Sequence, residues 1–545
     1  MLNSVAEPQP TLPPFNNPYT REAMTTAPIP AHLRDRDLEK LQPPDADINR
    51  FSRTPSFFGR FSTPLPPKRH RRIVRHARHT FLTVYRRLFS LVFISNVIAL
   101  WVVVAKYRSY SQQGWLAALA NAASANLMVA LLIRQDYIVN ILFRYVVCRN
   151  GLTLDSPPCH ISLLDKVPSF IHLLTLALPR LTWIVPLTAP LRLRRILAKV
   201  YELGGVHSGA AVSSIIWFAM FTGFLTKETT DFSTLQWAVM QPAIIALTYV
   251  VLLILMLLAM TAYPTCRFMA HNTFENVHRW GGWFSLALFW AELVLFARME
   301  ASGEGKTLLL DMLKLPAASF LLVSSFHAIL PWLRLHKLYV VPEKLSDHAI
   351  RLHFSDPIPL FVGLRLSTAP LKEWHSFAAI PARNGKGGSV LISNAGDWTN
   401  ECINNPREYY WVKGVPVTGV LCMARIFRKI VVVTTGSGIG PVLAVIQDTA
   451  QCGITCRVIW SAANPLETFG EGVIDSVKAV DPDAVIINTR RPGFRRPDLV
   501  QIAYDIYKKD GAEAVFCISN PKLTKKVVYG LEGRGVPAFG PVWDS

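Results

Sequence analysis

Six stretches of the 545-residue chain are apolar almost without interruption: 88–105, 115–133, 209–225, 237–260, 281–297 and 315–333. None alternates between a polar and an apolar face, and at about 1.5 Å per residue each is long enough, with modest help from its flanks, to cross a hydrocarbon core of about 30 Å. A seventh run, 170–191, is broken by Pro179, Arg180, Pro186 and Pro190, and reads as interfacial or re-entrant. After residue 333 the pattern shortens to β-type runs between turn residues, at 349–354, 360–366 and 389–393, as in an antiparallel barrel. From 428 onward strand and helix patterns alternate: 430–435 then 442–450, 456–461 then 472–479, 484–488 then 499–508, 514–519 then 523–531. That is the signature of a parallel α/β domain.

The predicted organisation is therefore an α-helical membrane bundle of about six spans followed by a β-barrel and an α/β nucleotide domain. The divisions are a proline-rich and basic tail at 1–79, the bundle at 80–336, the barrel at 337–427 and the α/β domain at 428–545. Residues 1–67 hold 13 prolines and few clustered apolar residues, too little to offset chain entropy, so this part is expected to be disordered. The first long apolar run begins far beyond the position of a signal-peptide core, so no cleavable signal is expected.

Composition agrees with a membrane protein: 51% of residues are hydrophobic and the mean hydropathy is +0.27. The net charge of +20 does not call for nucleic acid, because many of the cations flank apolar spans, where anionic lipid and insertion polarity account for them. They include the run Lys68, Arg69, Arg71, Arg72, Arg75 and Arg78. The segment between the second and third spans carries Arg134, Arg144, Arg149, Lys166, Arg180, Arg192, Arg194, Arg195 and Lys199, whereas the loops of opposite sidedness are poor in cations. Basic loops stay cytosolic, which puts both termini in the cytosol, at the plasma membrane or an endomembrane. The eight cysteines are scattered and give neither a zinc nor a disulfide framework.

The strongest chemical signal is the apolar run 430–435 leading into Gly436-Ser437-Gly438-Ile439-Gly440-Pro441. A buried strand that enters a helix through a glycine-rich turn presents backbone N–H groups to a phosphate and lets it approach closely. A tight turn needing positive φ would explain one or two of the glycines, but three at a strand-to-helix junction point to a dinucleotide.

With its preceding threonine, Thr435-Gly436-Ser437-Gly438-Ile439-Gly440-Pro441 resembles the nicotinamide-nucleotide loop of ferredoxin-NADP reductases, ferric reductases and NADPH oxidases. The resemblance implies NADPH or NADH at this loop, with Cys517 beside the nicotinamide and Trp543 as the aromatic ring over the isoalloxazine. A buried core cysteine and an apolar anchor for the terminus are the alternative readings of those two. Upstream, Trp374-His375-Ser376-Phe377-Ala378 resembles the flavin motif of the same superfamily. It implies FAD, with Phe377 against the isoalloxazine and His375 facing the phosphates or the ring. Ser376 stands in the place of a proline, and Ala378 replaces a hydroxyl residue that hydrogen-bonds the flavin. Gly396-Asp397-Trp398-Thr399 also fits the ferric-reductase type of barrel, and a turn is its simplest role.

The membrane half resembles the ferric reductase core, in which two helices running the same way each give one histidine to each of two haems. Here His207 begins the third span and His278 the fifth, while the positions fourteen residues on, about 21 Å of rise, hold Phe221 and Glu292. One level remains, open to a single haem between His207 and His278 or to polar helix ends with no metal. Glu292 is costly inside a span unless it is paired or faces a cavity.

From about residue 80 to the end the chain most resembles fungal TmpA-type membrane flavoproteins. Three segments carry this: 194–201 with His207-Ser208-Gly209, 278–283, and 539–545. The resemblance implies an oxidoreductase passing electrons from NAD(P)H to FAD and on to an unidentified acceptor or partner protein, in fungal development or secondary metabolism. Two rivals remain: a regulatory membrane protein that keeps the fold without turnover, and a transporter. Arg490, Arg491, Arg495 and Arg496 are equally suited to a 2′-phosphate and to a solvated loop, so the choice of NADH or NADPH stays open.

Overall fold

The computed structural model describes residues 64–106, 112–147, 189–228, 235–300, 312, 314–382, 385–490 and 497–541. All of these lie in the compact unit Pro64–Ser545. Trp543, Arg491, Arg495, Arg496, the proline-rich stretch up to residue 63 and nearly all of the run at 170–191 lie outside the described residues.

Among the described residues, six helices are long and apolar enough to cross a membrane, judged by length and composition. They are built on α1 (Val84–Ala105), α2 (Gln112–Leu132), α5 (Gly204–Glu228), α6 (Leu235–Ala262), α7 (Gly282–Glu300, continued backward to His271) and α8 (Pro316–Ile329). They are apolar all round, so α1 and α6 leave Leu91, Ile98, Trp101, Leu253 and Met260 exposed, as lipid-facing helices do. The inner seam is packed by Trp115, Leu119, Trp217, Phe218, Phe221, Ile244 and Val251.

Two shorter helices, α3 (Asp136–Val147) and α4 (Leu191–Leu197), belong to the segment expected only to carry topology-setting charge. Both instead dock into the C-terminal module. Phe143, Val146, Val147 and Ala198 join its hydrophobic core. Asp136 pairs with Arg365, and Asn140 donates to the Pro416 carbonyl at 2.8 Å while accepting from Thr418 N at 2.8 Å. Arg194, 4% exposed, grips both oxygens of Glu513 at 2.9 and 3.0 Å and the Ile426 carbonyl at 2.8 Å. The basic segment before α1 also reaches the module, where His79 and Lys199 share Glu532 at 3.1 and 2.8 Å. Arg279, before α7, meets the Lys372 carbonyl at 3.2 Å. The starts of α1, α5 and α7 and the end of α2 thus lie on the side of the bundle that carries the module.

That module has two layers. The first is an eight-stranded antiparallel sheet made of β1 (His336–Tyr339), β2 (Val341–Lys344), β3 (Ala349–Phe354), β4 (Val362–Ser367), β5 (His375–Pro381), β6 (Gly388–Ser393), β7 (Tyr409–Val412) and β8 (Val417–Thr418). The order β1-β7-β4-β5-β6-β3-β2, with β8 on β4, curls it around Leu352, Leu366, Ala379, Val390 and Ile392. A helix, α9 (Asp397–Asn404), adds Cys402 and Ile403 to this core. The second layer is a parallel sheet of β9 (Lys429–Thr435), β10 (Thr455–Ala462), β11 (Val485–Asn488), β12 (Ala514–Ile518) and β13 (Ala538–Phe539), ordered β11-β10-β9-β12-β13. The order reverses between β9 and β12, the position at which open α/β sheets bind ligands beyond the carboxyl ends of their strands. Helices α10 (Ile439–Cys452), α11 (Pro465–Phe469), α12 (Glu471–Val480), α13 (Leu499–Lys509) and α14 (Pro521–Glu532) complete the layer.

Candidate functional site

The glycine loop stands at that reversal. β9 is buried from Ile430 to Thr434, a short turn covers Gly436–Gly438, and α10 begins at Ile439. Its three glycines answer to three different demands. Gly436 has φ +53° and open space where a Cβ would stand, so backbone conformation is what requires it. A Cβ on Gly438 would come 2.6 Å from Thr434 Oγ1 and 2.7 Å from the Ile518 carbonyl, so packing within the protein requires it. A Cβ on Gly440 would lie 3.4 Å from Leu391 Cβ on β6, which sets the helix start directly against the barrel. Close approach of a phosphate is therefore not needed to explain Gly438.

Residues outside the motif, together with Thr435, fix the loop. The indole N–H of Trp460, a fully buried residue on β10, donates to the Gly436 carbonyl at 3.0 Å. Thr434 Oγ1 donates to the Ile518 carbonyl at 3.0 Å, and the hydroxyls of Thr435 and Ser519 are hydrogen-bonded to each other. Ser519 comes to the loop because it directly follows β12. Its neighbour Asn520 caps α14 by accepting from Leu523 N at 3.0 Å.

Cys517 lies on the strand that pairs with β9 beside the glycine loop. It is fully buried in β12, opposite Val433. Burial pushes its thiol up to about 12, a rise that a hydrogen bond with Thr524 on α14 only partly offsets. The thiol is thus enclosed within the sheet and held protonated.

His375, Ser376 and Phe377 open β5. His375 and Phe377 share one face with the core residue Ala379, and Ser376 is exposed on the other. Both rings, expected to lie against a flavin, are covered here by Trp398. The His375 and Trp398 centroids are 4.5 Å apart at 30°, and those of Phe377 and Trp398 5.6 Å apart at 24°. Gly396-Asp397-Trp398-Thr399 is accordingly more than a turn: Thr399 Oγ1 accepts from Ala395 N and Gly396 N, which starts α9 and sets the indole over β5. His375 Nε2 and Trp398 Nε1 are buried without hydrogen-bond partners. Burial lowers the His375 pKa, against the opposing pull of Glu373 and Glu275. Two orphaned ring nitrogens beside each other fit a group that offers hydrogen-bonding atoms of its own, as a flavin does.

In the bundle, His207 and His278 face each other with ring centroids 6.4 Å apart at 63°. His207 Nδ1 donates to the Ala130 carbonyl at 2.9 Å, which leaves the Nε2 lone pair free, the arrangement of a metal-bound histidine. His278 lies in a wide turn, Val277–Gly281, and its Nδ1 has no partner. Among the described residues no group of three or more His, Cys, Asp or Glu could hold a metal, so any metal group here would be held by these two histidines alone. Fourteen residues on, Phe221 and Glu292 line one common cavity, so the levels inferred from helix rise meet as expected.

Residues 420–545 match the family model described as Adenylate-forming reductase 03009, C-terminal domain. Two proteins of Coprinopsis cinerea are similar over most of the chain. Adenylate-forming reductase 03009 is 40% identical over 482 residues, 88% of this chain and 42% of its own length. Adenylate-forming reductase 06235 is 39% identical over 490 residues, 89% and 43% respectively. The chain thus spans less than half the length of these relatives. Their name differs from the TmpA-type family suggested by the sequence. Similar solved structures include a ferredoxin NADP+ reductase from Neisseria gonorrhoeae with bound FAD and NADP (16% identical, TM-score 0.32, covering 38% of this chain and 98% of that one). Another is the cytochrome b5 reductase domain of Ulva prolifera nitrate reductase (12%, 0.31, 39% and 98%).

Proposed function

We propose that the chain is a membrane-anchored NAD(P)H-dependent flavin reductase, with its C-terminal module and both termini in the cytosol. The observation that carries this is the glycine loop, which stands at the reversal point of the parallel sheet and abuts the barrel through Gly440 and Leu391. The N–H groups at the start of α10 would hold the dinucleotide phosphates. Trp460 keeps the Gly436 carbonyl turned inward, away from those phosphates, and the Thr435–Ser519 pair fixes the edge of β9 against that of β12. On the barrel, His375 and Trp398 offer the ring nitrogens, and Phe377 the apolar surface, that would hold FAD. When bound, the flavin supplies two-electron acceptance and the ability to release electrons singly.

With one histidine pair and none at the level of Phe221 and Glu292, the proposed route ends on the module's side, at a lipid-soluble or cytosolic acceptor or a partner protein. The relatives' name joins adenylate formation to reduction. We assign the reductive part to this chain and adenylate formation to the part of those proteins that it does not span. The regulatory reading gains support from the covered platform at Trp398 and the enclosed thiol of Cys517.

The deciding experiment is stopped-flow flavin reduction by NADPH and by NADH in wild type and in Ser437→Glu. Ser437 is half-buried in the loop, and a carboxylate there repels a phosphate at ~4 Å by roughly 1 to 4 kcal/mol, a loss of about fivefold to a thousandfold in affinity. Reduction is expected in wild type and a matching rise in the half-saturating nucleotide concentration in the variant. Wild type that neither cofactor reduces, with flavin bound, moves the regulatory reading ahead.

A further inference from the structure

The helical bundle contains a cavity of about 80 Å³ that has no part in the proposed reductase chemistry. It lies between α2, α5, α7 and α8, and Phe218, Phe221, Phe289 and Phe296 line it together with Ala123 and Glu292. The rings are locked against one another: Phe218 meets Phe289 edge-on at 5.1 Å, and Phe221 meets Phe296 at 5.7 Å. The cavity is therefore a preformed space with aromatic walls.

Glu292 is its one acidic lining residue and is only 4% exposed. Its Oε1 lies 2.5 Å from the Thr248 hydroxyl, which is also 2.8 Å from the Ile244 carbonyl. One hydroxyl proton cannot serve both oxygens fully. No Lys, Arg or His pairs with Glu292 among the described residues. A carboxylate in hydrocarbon without a counter-charge is expensive, and nothing described in the bundle supplies that charge. Aromatic rings attract cations through their faces. An anionic ligand would set a second negative group beside Glu292, whereas an ammonium supplies the counter-charge that lets the buried carboxyl ionise.

On the reading that the six helices span a bilayer, we propose that this cavity binds the ammonium head of a lipophilic amine. Glu292 is the counter-charge and the four phenylalanines form the wall around it. A water molecule takes up about 30 Å³ of liquid, so the space admits the head and its first carbons, while a longer tail extends among the helices and lipid.

The test uses the full chain purified in a neutral detergent, with n-octylammonium, 1-octanol and octanoate as probes and the unfolding midpoint as readout. Octylammonium is expected to raise the midpoint and the other two to leave it unchanged. Glu292→Gln should weaken octylammonium binding at least tenfold. Ala123→Leu, which keeps the carboxyl but fills the space, should abolish it, and it carries the test alone if Glu292→Gln does not fold. No shift with octylammonium, an equal shift with octanol, or an undiminished octylammonium shift in either folded variant overturns the proposal.

Discussion

The ring of Trp398 lies over that of His375 with 4.5 Å between centroids, and the same indole covers Phe377 at 5.6 Å. One side chain from α9 thereby packs on both residues of the proposed flavin site, and His375 Nε2 and Trp398 Nε1 lack partners. Trp398→Ala removes both ring contacts together. Its expected cost is about 3 kcal/mol of stability, at the lower end for a large aromatic because the residue is only partly enclosed. Trp398→Phe keeps a ring and should cost less than the alanine change. Acid-released flavin fluorescence per mole of folded protein should fall in both variants, because neither keeps the indole N–H, and further in the alanine variant, which also loses the ring. Equal flavin content in wild type and Trp398→Ala would remove the indole from the site.

Gly438 is constrained by Thr434 and Ile518, whose oxygens would lie 2.6 and 2.7 Å from an added Cβ. Gly438→Ala is therefore expected to lower stability by about 1 to 3 kcal/mol, an overpacking cost, whether or not nucleotide is present. Urea unfolding of the two proteins with and without NADP+ checks this, and a penalty that appears only with nucleotide would return Gly438 to the ligand.

How far the sequence reached can be read from these same residues. The apolar runs announced themselves because a helix apolar on every face needs no periodicity to be seen: the run at 88–105 became Val84–Ala105. The strand at 349–354 came out with those bounds, Ala349–Phe354, because its inner and outer residues alternate. The glycine loop was legible as a place, whereas the separate reasons for Gly436, Gly438 and Gly440 depend on Thr434, Ile518 and Leu391, neighbours that only the fold supplies. Cys517 and Ile518 are adjacent in a strand and so face opposite ways, yet both are buried, and sequence position alone does not say what covers each face. Arg194 was counted as topology-setting charge. Its partner Glu513 is 319 residues away, and a count of cations cannot separate an arginine that meets lipid from one buried in an ion pair.

That ion pair gives the next prediction. Arg194 meets Glu513 through two hydrogen bonds, and Arg428 N donates to the same carboxylate at 2.7 Å. Burial raises the Glu513 pKa, but the Arg194 hydrogen bonds and the Arg428 N–H outweigh it, and the net pKa is lowered. A depressed carboxyl pKa contributes stability above its unfolded value and loses it as pH falls through the folded value. Wild type should therefore lose more of its unfolding midpoint than Glu513→Gln as the pH drops below about 4.5. At neutral pH Arg194→Ala is expected to cost about 3 kcal/mol, because it strands Glu513. Thermal unfolding of the three proteins across pH decides both points, and parallel curves for wild type and Glu513→Gln would show that the pair is not linked to folding.

Lys413 stands where the bundle meets the barrel, with Nζ 4.5 Å from the Trp332 ring centroid and 4.4 Å from that of Trp374. Burial, reinforced by Arg365 and Arg279, pushes its pKa down to about 8 from the ordinary 10.5. Between those values the unfolded chain holds the proton more tightly than the folded one, so stability rises with pH across that window. Below it both states are protonated and the cost of burying the ammonium is present in full; above it both are neutral. Lys413→Met keeps an unbranched apolar chain between the indoles and removes the proton. The unfolding midpoint of wild type, taken relative to Lys413→Met at each pH, is expected to be flat up to about pH 8 and then to climb towards about pH 10.5, the ordinary lysine range. The two indole faces work against this, since each attracts the cation and favours its protonated form. A difference that stays flat through the alkaline range would mean that the Trp332–Trp374 sandwich offsets the burial cost, and that the joint holds a charged lysine at no net expense.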